Sequence, residues 1–267
     1  MPQTTHDTSL SEAKPRSSAP GTPTVSNTSN FDFDYFLKFI SQPYYLTKQS
    51  HTCKSNIKYT LSSYLFCTIA VFILSIIINI LDKFLVNTLG IQSISTQIRN
   101  SILQTGNDFN QFNFIIIVLA TPFIEEIIFR LPLNLNKYAF ATSTTIFTYI
   151  ISGGSIFHFS KGNDTIPLLI AFVTFTCLAI FINNISLLKI GTHHFRRWFY
   201  AYTLLFGIIH VTNIRNIQYQ LVPIYLIYIL PQIAMGLFIA NIRLHRGFAW
   251  GFALHALING IGYMLIY

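Results

Sequence analysis

The chain has 267 residues, 52% of them hydrophobic and only 10% charged, with a mean hydropathy of +0.50, where a soluble domain carries about 25% charged residues. That balance excludes the pair of soluble domains that length alone would allow and predicts an all-α, polytopic transmembrane helix bundle, since its apolar runs are long enough, at about 20 residues, to cross a hydrocarbon core. The formal net charge of +8 does not indicate a nucleic-acid partner, because Lys and Arg never cluster beyond a pair and the aromatic residues fall inside apolar runs.

Residues 1 to 30 hold four Pro, six Ser and six Thr, with Met1, Leu10 and Val25 as the only large apolar side chains. Such a segment cannot bury enough surface to order itself, and it lacks the charged and apolar regions of a cleavable signal peptide. FDFDYFLKFISQPYYLT, residues 31 to 47, mixes aromatic residues with charge, and reads equally as a short amphipathic helix on the membrane surface or as a loop packed beneath the bundle. Residues 1–56 are accordingly expected to be a polar, largely disordered cytoplasmic tail, and 57–267 the helical bundle. Cys53, Cys67 and Cys177 have no paired spacing, so neither a disulfide framework nor a thiolate metal site is expected.

About seven hydrophobic spans follow, near 59 to 81, 112 to 132, 137 to 157, 166 to 188, 198 to 214, 221 to 241 and 248 to 267. Between the first two, LVNTLGIQSISTQIRNSILQ reads as an interfacial helix. No internal repeat is visible. Alternating the spans puts twelve Lys and Arg on the side of the tail and four on the other, with Arg130 inside a span. By the positive-inside rule the N-terminus is cytoplasmic, and a multi-pass protein of the plasma membrane is expected.

The second span, NFIIIVLATPFIEEIIFRLPL, carries Glu125, Glu126 and Arg130 where its neighbours face lipid. An ionisable residue at that depth costs about 2.5 to 3.5 kcal/mol, so it needs a partner or a task. Glu126 and Arg130 are four apart with the acid first, the favourable order for a pair on one helix face. Glu125 lies about 100° around the helix from that face, which assigns it to other work. Pro122, just upstream, removes a backbone proton and is expected to kink the helix.

The fifth span ends in LLFGIIHVTN, where Phe206 and His210 are four apart, and the seventh contains GFAWGFALHALINGIGY, whose Gly247, Gly251, His255 and Asn259 form one stripe. Each feature alone has a structural explanation: a histidine hydrogen-bonded across helices, and glycines in a packing seam. Together, three ionisable elements on three spans exceed what packing requires. His6, His51, His158, His193, His194 and His245 flank spans or lie in polar segments and read as solvated or interfacial.

In this order the motifs EExxxR (Glu125, Glu126, Arg130), FxxxH (Phe206, His210) and HxxxN (His255, Asn259) resemble those of the CPBP family, the CAAX prenyl protease and bacteriocin-processing (Abi) intramembrane proteases. The resemblance covers residues 112–267 and fills every motif position. It implies a catalytic core over 112–267 with Glu125, Glu126, Arg130, His210, His255 and Asn259 as site residues, and it implies that the first Glu and the first His activate water.

Peptide hydrolysis needs an activated water, a group to stabilise the oxyanion and a proton for the leaving amine. Glu125 with His210 answers the first need, and hydrogen bonds from His255 and Asn259 answer the second. Two histidines and a glutamate are also a hydrolytic zinc set, so zinc is a possible cofactor, although HExxH is absent. The favoured function is an intramembrane endopeptidase acting on a membrane-associated, hydrophobic or prenylated peptide or protein, with the lipid bilayer as its other partner. The alternative is a non-catalytic or self-immunity membrane protein that binds a bacteriocin-like peptide. A proton-coupled transporter is a third reading, against which no paired broken helices are evident in the sequence.

Overall fold

The computed structural model describes residues 30–46, 51–105, 111–154, 164–213 and 221–266, and all the regular elements among them are helices. The predicted disorder of residues 1–29, together with positions 47–50, Lys161 and Arg215, lies outside the described residues.

The first helix, α1 (Phe33–Ser41), is started by Asp32, whose carboxylate accepts from the Tyr35 amide at 3.1 Å and so satisfies one of the orphan donors of the first turn. Phe36 and Phe39 are three apart and both buried. Phe36 stacks on Phe238, with ring centroids 4.3 Å apart, so the segment is a helix docked on the bundle. His245 helps to hold it there: Nδ1 donates to the Asn241 carbonyl at 2.8 Å and Nε2 lies 3.3 Å from the Tyr35 hydroxyl. This histidine is buried, which corrects the expectation of a solvated side chain.

α2 (Cys53–Leu89) is capped by Thr52 and stopped by Gly90, whose φ of 63° is the left-handed conformation that glycine accepts without strain. It runs past the Asp82 and Lys83 that ended the predicted span. Asp82 stays inside because it is fully paired: it accepts from Tyr228, from Ser93 and from the Ile94 and Ser95 amides, at 2.5, 2.6, 2.9 and 3.3 Å. Those two amides belong to the first turn of α3 (Ile94–Thr105). The stretch read as one interfacial helix is therefore the end of α2, a turn at Gly90, and α3.

The second predicted span is not one regular helix. It is built from α4 (Gln111–Ile115), a π-helical turn (Ile116–Ala120), α5 (Thr121–Phe129) and a 3-10 turn (Leu131–Asn134). α6 (Lys137–Ile151) follows, capped by Asn136. α7 (Thr165–Phe181) and α8 (Asn184–His193) meet at 89°, and α10 (Val222–Tyr228) and α11 (Leu230–Arg246) meet at 48°. Between these pairs lie α9 (Phe195–Ile209) and a 3-10 turn (His210–Asn213), and α12 (Phe248–Ile266) ends the bundle.

Among the described residues two helices, α2 and Phe248–Leu265 of α12, are long and apolar enough to cross a membrane, and up to four crossings result if each bent pair is one span. α6 and α9 have 15 residues each, about 22 Å at 1.5 Å per residue, which is short for a hydrocarbon core of about 30 Å. Large apolar side chains on α2 and α7, such as Phe72, Ile80, Phe172 and Phe181, are exposed, as lipid contact requires.

α11 is the hub, packed on α1, α2, α9 and α12, with Ile239, Ala240 and Ile242 wholly buried. Its approach to α9 depends on Gly207, where an added Cβ would lie 2.3 Å from Ile233 Cγ1. Overpacking of this kind costs about 2 kcal/mol. Gly207→Leu is expected to lower the thermal unfolding midpoint in detergent by roughly 5 °C, and an unchanged midpoint would show that the two helices separate freely.

Candidate active site

Glu125 and Glu126 fall on consecutive positions of α5, and both turn toward α12, where His255 stands between them. His255 Nδ1 is hydrogen-bonded to Glu126 Oε1 at 3.1 Å, and His255 Nε2 lies 3.3 Å from Glu125 Oε2. The imidazole is thus shared by two carboxylates. Each ring nitrogen of His255 therefore faces a carboxylate oxygen.

The two acids differ in access. Glu126 and His255 side chains are 0% and 1% exposed, whereas Glu125 is 20% exposed. Glu125 is the member that water can reach, and Glu126 is its buried counterpart on the far side of the ring. Gly251, one turn before His255, provides the room: a Cβ there would lie 3.5 Å from Glu126 Oε2 and 3.2 Å from Arg243 Cβ. The stripe from Gly247 to Asn259 is therefore a close packing seam with α5 and α11. Gly247 itself sits in the α11–α12 turn with φ 100°.

The expected Glu126–Arg130 pair is not formed. Among the described residues the only ion pairs of Glu125 and Glu126 are with His255. Arg130 caps α5 with φ −116°, a departure from helical geometry that turns its side chain off the i, i+4 line. The guanidinium is completely buried, lies 4.4 Å over the Phe206 ring and donates through Nη2 to the Gly236 carbonyl at 3.2 Å. Gly236 permits this approach, since a Cβ there would be 3.0 Å from Nη2 and 2.9 Å from Phe206 Cδ1. Nε and Nη1 of Arg130 and Oε2 of Glu126 have no protein partner. Buried groups of this charge are normally bridged by ordered water.

His210 reaches neither glutamate, which corrects the expected Glu125–His210 contact. α9 gives way to a 3-10 turn at His210, and Nδ1 donates to the Phe206 carbonyl at 2.7 Å. The ring it faces is Phe206, at 4.9 Å between centroids, and Phe206 in turn meets His255 at 5.6 Å. The three rings form a row. Nδ1 of His210 is thus engaged within its own helix.

Asn259, expected to help bind an oxyanion, donates from Nδ2 to the Ile117 carbonyl at 3.1 Å. The candidate zinc set of Glu125, His210 and His255 is not gathered, and among the described residues no group of three His, Cys, Asp or Glu has the spacing to hold a metal ion. These residues do not fit zinc.

One participant escaped the sequence reading. Arg243, counted among the charges flanking a span, is 8% exposed, lies 5.4 Å over the Phe248 ring and donates to Asn134 Oδ1 at 2.7 Å. The Glu126 carboxylate acts electrostatically on it as on Arg130, so the buried acid sits among two guanidiniums.

No protein-family model matches the chain, no curated protein matches it, and no solved structure matches it.

Proposed function

We propose that this chain is a multi-pass intramembrane endopeptidase of the CPBP type, hydrolysing a membrane-associated peptide whose apolar or prenylated part lies in the bilayer. The observation that carries this reading is the bridging of a partly accessible glutamate and a buried one by His255. Glu125 takes the proton of a water, the hydroxide attacks the scissile carbonyl, and Glu125 gives that proton to the departing amine as the C–N bond breaks, while His255, gripped by Glu126 on its far side, holds Glu125 in place. Buried charge around the site strengthens each of these transfers. His210 stands one aromatic ring away, across Phe206 from His255, at the edge of the site.

The reading is tested with the full chain reconstituted in vesicles and a quenched peptide bearing a farnesyl- or palmitoyl-cysteine. Hydrolysis is expected from the wild type and unaltered after EDTA treatment, because the site residues do not fit a metal. Loss of hydrolysis in EDTA that returns with added zinc would contradict the glutamate mechanism.

The seven-crossing, N-terminus-inside arrangement in the plasma membrane belongs to the same proposal and rests on the twelve-to-four distribution of Lys and Arg. A cysteine at Thr88 is expected to react with an impermeant thiol reagent from outside the cell, and one at Lys189 only after permeabilisation. The reverse pattern would overturn the orientation.

A further inference from the structure

We infer that Asn259 is a positioning residue: its side-chain amide supplies the hydrogen bond that Pro122 cannot, and thereby fixes the helix of Glu125 and Glu126 against the helix of His255. What that positioning serves rests on the peptidase reading.

In the π-helical turn of residues 116–120 the backbone ladder shifts to the five-residue register, and the Thr121 N–H goes to the Ile116 carbonyl. The next carbonyl is that of Ile117. In an α-helix its donor would be Thr121, which is already engaged, and in the π register it would be residue 122. Residue 122 is proline and has no N–H. Neither register leaves Ile117 O a backbone donor, in an apolar segment where an unpaired carbonyl is costly. Asn259 Nδ2 lies 3.1 Å from it.

A second feature is independent of that hydrogen bond. The next residue on α12 is Gly260, where a Cβ would stand 3.3 Å from Val118 Cγ1. The helices approach too closely at the π turn for a larger side chain to fit without displacement. α12 therefore contacts the second segment at two levels, Asn259 and Gly260 at the turn and His255 at the acids one turn earlier. A π turn inserts one residue, and its loss rotates one side of the helix by about 100° relative to the other. Rotation of that size would carry Glu125 and Glu126 away from the imidazole.

The compensation is testable because Pro122→Ala restores the missing N–H. In a cysteine-free background (Cys53→Ser, Cys67→Ser, Cys177→Ser), Phe123→Cys and Phe252→Cys place thiols on α5 and α12, where the native rings are 5.7 Å apart. Their crosslinking by a short bis-methanethiosulfonate in native membranes reads the register of the two helices. Asn259→Ala is expected to slow crosslinking at least tenfold, Pro122→Ala alone to leave it unchanged, and the double variant to recover to within threefold of the parent. If Asn259→Ala does not accumulate, recovery of folded protein in the double variant is the same result. Crosslinking unaffected by Asn259→Ala, or no recovery on adding Pro122→Ala, overturns the inference. This readout needs no substrate, so it stands whether or not the peptide is cut. Where hydrolysis is measured beside it, kcat should recover with the crosslink, whereas hydrolysis lost at a parental crosslinking rate would make Asn259 a substrate ligand instead.

Discussion

Glu125→Gln should lower peptide hydrolysis by about 10³-fold while the protein accumulates and unfolds as the wild type does. Loss of a general base alone accounts for a factor of 10² to 10⁴. The amide is isosteric with the acid, so the contact with His255 Nε2 at 3.3 Å survives in form, and the 20% exposure of Glu125 keeps the packing penalty small. What is lost is the ability to accept a proton from water. Glu126→Gln offers the contrast. Its side chain is buried and makes the hydrogen bond to Nδ1, so hydrolysis is expected to fall less than for Glu125→Gln and stability to fall more. Equal loss of turnover and equal stability in the two variants would show that access does not distinguish the acids.

Arg130→Met should reduce folded protein by about 3 to 5 kcal/mol of stability, the range seen when one side of a buried charge arrangement is removed. The guanidinium is 0% exposed and is stacked over Phe206 while bonded to the Gly236 carbonyl, so methionine fills some of the volume and replaces none of the polar contacts. Glu126 would then keep only Arg243 as a nearby permanent cation. The checks are detergent-solubilised yield and the thermal unfolding midpoint. A variant that folds normally but fails to hydrolyse peptide would move Arg130 from the scaffold to the chemistry.

The sequence revealed the composition of the site more readily than its connections. Glu125, Glu126, Arg130, Phe206, His210, His255 and Asn259 were all conspicuous as polar or spaced residues in apolar runs, and the structure brings the acids, Arg130, Phe206 and His255 into one buried cluster. Their pairing was misread because spacing arguments assume an unbroken helix. Arg130 sits at the helix cap with φ −116°, so the four-residue rule no longer describes its direction. His210 begins a 3-10 turn, and Asn259 is occupied by a carbonyl that only the π turn and Pro122 leave free. Helix boundaries failed for a related reason. Asp82 looked like the end of a span because charge usually leaves the membrane, yet Tyr228, Ser93 and two amides satisfy it inside, and those partners are 11 to 146 residues away. Arg243 was hidden similarly, since its acceptor Asn134 is 109 residues distant.

The most direct test of the peptidase proposal compares the termini of membrane proteins and peptides in cells producing the wild type with those in cells producing equal amounts of folded Glu125→Gln. The account predicts a defined set of new N- and C-termini, in or beside apolar or lipid-modified segments, present with the wild type and absent with the variant. Identical termini in the two cell populations would contradict peptide-bond hydrolysis at this site and leave the Glu125–His255–Glu126 triad to a binding or proton-carrying role.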